Sequence, residues 1–195
     1  MSVIQSTYFD TRGPDCTVET LRLALARAEA LGIRDIIVAT TRGETGVRAA
    51  QVFQGYNLVV VTHSAGFAQP NTQELTDEGR ATIERLGGRI LTAQHAFGGV
   101  GRAVRKKLGT YELEEIVAYT LRVFGEGIKV AAEIALMAAD AGLVRTDREA
   151  IAIAGTGRGA DTAVVLTPTN AQTFFDLRIH EVICKPRLTA TEKAE

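Results

Sequence analysis

The amino-acid sequence predicts an α/β fold: a three-layer α/β/α sandwich around a mixed, mostly parallel sheet with an antiparallel edge. Apolar β-branched runs alternate with segments of helical period through the first half of the chain. The run at residues 57–63 has no polar alternation, which is typical of a parallel strand buried on both faces. Residues 150–155 and 162–168 are two further strands, and the turn between them is too short for a crossover helix, so they must pair antiparallel.

The individual elements follow from the period of the apolar residues and from the glycines that end each helix. The first helix has Asp15 or Thr17 as its cap and stops at Gly32. In the long alanine-rich helical segment 112–141, Gly125 and Gly127 are either weak points, where we expect a bend, or places of close packing. The other expected strands are 3–9, 36–39, 89–95 and 181–184. The other expected helices are 44–55, 74–86 and 102–107. The helix 102–107 is basic, and we assign its charges to a solvated face.

Length and charge limit the classes of function. The 195 residues suit a single domain over 1–188 with a polar tail at 189–195. Lys plus Arg (22) nearly balances Asp plus Glu (23), so we expect no nucleic-acid partner and no anionic membrane surface. No apolar run approaches the roughly 18 residues of a membrane span, and the start lacks a signal pattern. We therefore expect a cytoplasmic protein, in which Cys16 and Cys184 are free thiols.

The loop after the strand 36–39 has the composition of a phosphate-binding loop. Two glycines allow close backbone approach, threonines offer hydroxyls, and a helix N-terminus follows with unpaired N–H groups. The alternative is an ordinary turn in which Thr41 or Thr45 caps the helix. No nucleoside-triphosphate loop motif occurs. The candidate residues are Thr40, Thr41, Arg42, Gly43, Glu44, Thr45 and Gly46.

A second group of candidates follows the other strands, because ligands of open α/β sheets bind beyond the carboxyl ends of the strands. Arg158 is either a bidentate phosphate ligand or a solvated turn residue. His63 and His95 are expected to face one crevice, where ligand contact is favoured over a metal site because no third ligand has matching spacing. The remaining candidates are Thr62, Gly155, Thr156, Gly157, Gly159 and Asp161.

Several motifs together resemble a known family. The loop 40–46, the strands beside it and the first helix look like the C-terminal α/β domain of pyruvate kinase, in which a similar loop binds the phosphate of an allosteric sugar in some members. Arg42 stands where that loop has serine, a departure from the sugar-phosphate pattern. The resemblance is closer to free-standing archaeal and bacterial proteins of this fold. The motifs that carry it are 13–21, 137–142, 158–165, 174–176 and 183–186.

This resemblance implies a domain of unassigned activity, some of whose relatives hold flavin mononucleotide (FMN). A pyruvate kinase is not expected, since its catalytic barrel alone takes about 250 residues. An isoalloxazine ring would have Phe9, Phe67 and Phe97 as candidate neighbours, although packing is the alternative for each. Asp161 would orient Arg158, accept from the flavin or its ribityl chain, or cap a turn.

Two functional hypotheses follow. One is an FMN-binding protein that could act as a redox enzyme, and the other is a non-catalytic sensor that holds a phosphorylated metabolite in the same pocket. Neither a Ser-His-Asp set nor a Cys-His set can be assigned, so catalytic residues stay unknown. The apolar content of segment 112–141 suits either burial between the sheet and other helices or a subunit contact, and on the second interpretation we expect a homo-oligomer, with a dimer as the commonest closed form.

Overall fold

The computed structural model describes residues 3–187 and contains seven strands and six α-helices within them. The strands are β1 (Thr7–Phe9), β2 (Asp35–Ala39), β3 (Asn57–Val61), β4 (Arg89–Leu91), β5 (Ala150–Ala154), β6 (Thr162–Thr167) and β7 (Arg178–Pro186). The helices are α1 (Thr17–Leu31), α2 (Glu44–Val52), α3 (Asp77–Arg85), α4 (Val100–Leu108), α5 (Leu113–Arg122) and α6 (Glu126–Asp140). Two 3-10 turns lie at Pro14–Cys16 and Ala171–Asp176.

All seven strands belong to one sheet, in the order β1-β7-β6-β5-β2-β3-β4. Strands β5, β2, β3 and β4 run parallel to one another. Strand β6 runs antiparallel to both β5 and β7, while β1 is parallel to β7. The predicted mixed, mostly parallel sheet is therefore confirmed, and its antiparallel pairing lies toward the β1 side. Because β6 reverses direction, the β5–β6 turn emerges at the same edge as the carboxyl ends of the parallel strands.

Helices cover both faces of the sheet, as the three-layer prediction requires. Side chains alternate along β2, so Ile36 and Val38 join a core with α1, α2 and α3, whereas Ile37 joins a second core with α6. Helix α6 lies very close to the sheet, since a Cβ on Gly127 would come within 2.0 Å of Thr162 Oγ1. Helix α5 packs outside α6 through a small cluster around Phe97, and α4 packs against α5. The first turn of α6 is thereby positioned at the carboxyl edge of the sheet.

Some local predictions needed correction. The segment 112–141 is two helices, separated at Gly125, whose φ of +126° ends the helical path. The predicted caps of α1 are wrong: its N-cap is Cys16, without a side-chain bond, and Thr17 Oγ1 instead accepts from Ala160 N–H at 3.0 Å. Gly32 ends α1 in the left-handed conformation, as predicted.

The described residues contain no helix that combines the length and apolarity needed to cross a membrane. The predicted polar tail at 189–195 lies outside the described residues.

Candidate functional site

A cavity of about 700 Å³ opens at the carboxyl ends of the parallel strands. Its walls are the loops after β2, β3 and β4, the β5–β6 turn, and the starts of α1 and α2. Helix α6 lines it from Glu126 to Met137, and Arg102 of α4 and Arg122 of α5 complete the lining. Cofactor-sized ligands occupy pockets of about 300–1,000 Å³. The predicted residues that line the cavity are Thr40, Thr41, Arg42, Glu44, Thr45, Thr62, His63, Gly155, Gly157, Arg158 and Gly159.

Within residues 3–187, the N–H groups of Glu44 and Thr45, after the loop between β2 and α2, have no protein acceptor, and both residues line the cavity. The N-cap residue of α2, Gly43, provides no side-chain oxygen, and neither Thr41 nor Thr45 caps the helix. Thr40 Oγ1 accepts from the Gly46 N–H at 3.2 Å, which holds the loop across the first helical turn. The first N–H groups of a helix have no intrahelical partner and carry a partial positive charge. An anion can therefore be bound at this end of the cavity.

The two loop glycines serve the packing behind the cavity. A Cβ on Gly46 would lie 2.9 Å from Ile83 Cδ1 and from Val60 Cγ1, while one on Gly43 would lie 3.1 Å from Leu75 Cδ1. Gly43 also has φ of +118°, a conformation that side chains disfavour. Both glycines thus let α2 approach α3 and β3, and they contribute to the site through the backbone alone.

Arginines surround the cavity and leave it positively charged. Arg42, Arg48, Arg102 and Arg158 line it, and within residues 3–187 none has a carboxylate within 4.0 Å. Two more lining cations form ion pairs with carboxylates that also line the cavity: Arg122 with Glu126, and Lys129 with Glu133. The lining therefore has six cations against four carboxylates (Asp15, Glu44, Glu126 and Glu133), an excess of two positive charges.

Three rings form one side of the cavity. Phe67 stacks on His95 with ring centroids 4.9 Å apart and an interplanar angle of 13°, and it contacts His63 at 4.1 Å. The Arg102 guanidinium lies 4.8 Å above the Phe67 ring, in cation–π geometry. His63 Nδ1 is held 2.7 Å from Glu74 Oε2. The prediction that His63 and His95 face one crevice is confirmed, and the three rings give the cavity a polarisable aromatic side.

A buried ionic cluster at the start of α6 was not predicted from the sequence. The Lys129 ammonium donates to Glu133 Oε2 at 2.6 Å, and Glu133 Oε1 accepts from the Phe97 N–H at 2.9 Å. His95 Nδ1 lies 3.9 Å from Glu133 Oε1. Burial lowers the pKa of His95 to about 4, against the opposing attraction of Glu133, so this imidazole is neutral at pH 7.

The family is identified by the part of the chain that forms this cavity. A model of the pyruvate kinase alpha/beta domain matches residues 19–166, three-quarters of the 195 residues. The chain belongs to this family. The match runs through the loops after β2, β3 and β4 and through the β5–β6 turn, so the resemblance inferred from the sequence motifs is confirmed.

In this pyruvate kinase α/β domain, Asp161 supports the cavity from behind. Its side chain is fully buried and accepts from the N–H groups of Gly13 at 2.9 Å and Thr156 at 3.1 Å, and from Thr162 Oγ1 at 2.8 Å. Neither Asp161 nor Thr156 lines the cavity. Asp161 therefore connects the β5–β6 turn to the start of α1 and positions Arg158 indirectly, by fixing the backbone of its turn.

The other aromatic candidates pack inside the domain. Phe9 packs against the core beneath α1, and Phe97 is buried edge-to-face against Phe174. Only Phe67, of the three phenylalanines considered, lies at the cavity. Among the residues that the structure describes, no group of three His, Cys, Asp or Glu side chains is placed to hold a metal ion.

Proposed function

We propose that this pyruvate kinase α/β domain binds a phosphate-bearing ligand in the cavity, and that the ligand is FMN. The observation that carries the proposal is that, among residues 3–187, four arginines without carboxylate partners line the same cavity as the unpartnered amides at the start of α2. Arginine guanidinium groups and helix amides are the usual donors to a phosphate dianion. Arg42, Arg48 and Arg158 are the proposed phosphate ligands.

A flavin ring suits the rest of the cavity. Phe67 and His95 are stacked on each other and both line the cavity, so this aromatic pair offers apolar and polarisable contact to an aromatic ligand. The cavity volume of about 700 Å³ accommodates a tricyclic ring together with its phosphate chain. A bound FMN would supply redox chemistry, and the residues of this chain would bind its phosphate, orient its ring and exclude water from one face. On this proposal the domain is a flavoprotein and a candidate redox enzyme.

The test is a visible spectrum of freshly purified protein, followed by titrations with FMN and with riboflavin. We expect FMN to bind and riboflavin, which lacks the phosphate, to bind at least about tenfold more weakly, since one charge-assisted contact is worth roughly 1.5–3 kcal/mol. A colourless protein that remains unbound at saturating FMN would contradict the proposal.

The alternative proposal is a non-catalytic sensor for a phosphorylated metabolite. Helix α5 favours it, because Arg122 lines the cavity and its guanidinium lies 5.0 Å from the ring centroid of Tyr119, which is exposed to solvent on α5 together with Ile116. A ligand that moves Arg122 would thus change a surface suited to a protein partner. Reduction of bound FMN by a hydride donor with turnover would favour the enzyme, whereas binding of sugar phosphates without flavin would favour the sensor.

We further propose that the protein is a cytoplasmic homo-oligomer, with a dimer as its form. Four exposed residues of α5 and its end, Leu113, Ile116, Tyr119 and Val123, recur at spacings of three, three and four, which aligns them on one helical face. With Leu108, Tyr111 and Phe124 they make seven exposed side chains. At roughly 100 Å² each they offer about 700 Å², close to the ~800 Å² per partner of a stable interface.

The cytoplasmic proposal has separate support. Cys16 and Cys184 are both buried free thiols, which suits a reducing compartment. The net charge of −1 supports the absence of a nucleic-acid or membrane partner.

A further inference from the structure

Among residues 3–187, Lys129 on α6 and His95 after β4 line the cavity and each keep hydrogen-bond donor capacity that no protein atom uses. Lys129 is only 5% exposed and lines the cavity, yet its ammonium group has a single protein partner within residues 3–187, Glu133 Oε2. An ammonium group has three N–H donors. A buried donor without an acceptor is costly, so a ligand atom is the natural partner for the other two.

His95 provides the second donor, and its tautomer can be assigned. Its Nε2 atom lies 3.3 Å from the Ser64 N–H, which donates to it, so Nε2 is the acceptor. A neutral imidazole with Nε2 as acceptor carries its proton on Nδ1. The nearest carboxylate oxygen, Glu133 Oε1, is 3.9 Å from Nδ1, beyond hydrogen-bond distance, and already accepts from Phe97. The Nδ1–H group is therefore available to a ligand.

We propose, as a consequence of the FMN proposal, that Lys129 and His95 donate to the carbonyl edge of the ligand ring, the N1–C2=O side of the flavin. On reduction, oxidised FMN takes up two electrons and one proton, which goes to N5, and the negative charge resides at N1 and O2. A buried ammonium beside that position stabilises the reduced anion more than the neutral oxidised ring. Lys129 would therefore raise the midpoint potential of the bound flavin.

Glu133 should affect the midpoint potential of the flavin in the opposite direction to Lys129. Its carboxylate holds the Lys129 ammonium in place and, as a negative charge close to the same edge, disfavours the reduced anion. Removal of the positive charge and removal of the negative charge must then shift the potential in opposite directions. A purely structural role for the pair would not produce opposite shifts.

The experiment is an anaerobic dithionite titration of the FMN-loaded full chain against a reference dye, with dithionite as the source of both electrons. In Lys129→Met we expect the ratio of the affinity for reduced FMN to the affinity for oxidised FMN to fall about tenfold. For a two-electron couple, this change lowers the midpoint potential of the bound flavin by about 30 mV. Glu133→Gln should shift the potential upward, and Lys129→Arg, which keeps the charge, should stay near the wild type. Arg158→Ala should weaken both redox forms equally and leave the potential unchanged.

The potentials of the variants test the role of Lys129, whereas FMN binding by the wild-type protein tests the proposed function. Unchanged potentials in Lys129→Met and Glu133→Gln, with FMN bound, would overturn the role of Lys129 and leave FMN binding intact. A wild-type protein that binds no FMN would overturn both. Should Lys129→Met fail to fold, Glu133→Gln decides alone: an upward shift supports the inference, and no shift or a downward shift refutes it.

Discussion

The Lys129 ammonium lies 2.6 Å from Glu133 Oε2, one helical turn further along α6, and both side chains are less than one-tenth exposed. Removal of one partner leaves the other charge buried and unpaired, at a cost of about 3–5 kcal/mol. We expect Lys129→Met to lower the free energy of unfolding in urea by about 3 kcal/mol, and Lys129→Met/Glu133→Gln to cost less than the two single changes added together.

The control for this pair is the exposed Arg80–Glu84 pair on α3, which has the same spacing. Arg80→Met should cost no more than about 0.5 kcal/mol, since exposed pairs are screened by water. Additive effects in the Lys129/Glu133 cycle would show that the two charges do not interact.

Arg158 is exposed at the β5–β6 turn and lines the cavity, and on our proposal it binds the ligand phosphate. We expect Arg158→Ala to weaken FMN binding about 10- to 100-fold, the equivalent of roughly 1.5–3 kcal/mol, and to leave riboflavin binding unchanged. Isothermal titration with both ligands measures this. Arg85→Ala, an exposed arginine of α3 away from the cavity, is the control. Equal losses for FMN and riboflavin would place the phosphate elsewhere.

Gly43 combines φ of +118° with close contact to α3. We expect Gly43→Val to strain the loop by roughly 1–3 kcal/mol, because a β-branched side chain disfavours this conformation and meets Leu75. The free amides at the start of α2 would move, so FMN affinity should fall while the circular dichroism spectrum is retained.

Gly87 allows a matched comparison for that loop change. It has φ of +88°, a Cβ added there would meet nothing within 4 Å, and it lies outside the cavity lining. Gly87→Val should therefore cost similar stability without affecting FMN affinity. Wild-type FMN affinity in a folded Gly43→Val protein would argue that the anion binds against Arg158 instead.

The low pKa of His95, about 4, makes stability depend on pH. An unfolded histidine has a pKa near 6.5, so between about pH 6.5 and 4 the unfolded chain binds a proton that the folded chain does not. The contribution of His95 is thus fully present above pH 6.5 and is lost as the pH falls. Between pH 7.5 and 5 we expect a loss of about 2 kcal/mol in urea unfolding, since each pKa unit is worth about 1.4 kcal/mol.

Two variants isolate this effect. His95→Gln should remove that component of the pH dependence, whereas His180→Gln, an exposed histidine bonded to Thr167 Oγ1, should retain it. An unchanged pH profile in His95→Gln would assign the dependence to other groups.

The exposed apolar face of α5 predicts self-association. We expect Ile116→Glu/Val123→Glu to convert a dimer into a monomer in light scattering at micromolar concentration, because two charges would be buried at the interface. Leu31→Glu, at the end of α1 and 39% exposed, is the control and should remain dimeric. A wild-type protein that is already monomeric at that concentration would remove the proposal.

The sequence predicted the fold and the location of the cavity, because strand period and glycine-ended helices are local signals. The sequence also predicted that His63 and His95 face one crevice, because both residues follow strands that end at the same edge of the sheet. The Lys129–Glu133 pair was missed because an i, i+4 pair of charges is usually solvated, although its position within an alanine-rich apolar helix was a usable signal. Arg102 was assigned to a solvated face, and only the packing of α4 against the loops turns it toward Phe67.

The hydrogen bond from the Gly13 N–H to Asp161 joins residues 148 positions apart. During synthesis, the β5–β6 turn and the start of α1 cannot reach their final shapes until residue 161 has left the ribosome. Contacts of such long sequence separation slow folding, because closing a long loop costs conformational entropy. A chain that stops short of Asp161 would have most of the parallel strands but an incomplete pocket. On the proposed function, a chain truncated before Asp161 would therefore lose ligand binding while it keeps strands β2 to β5.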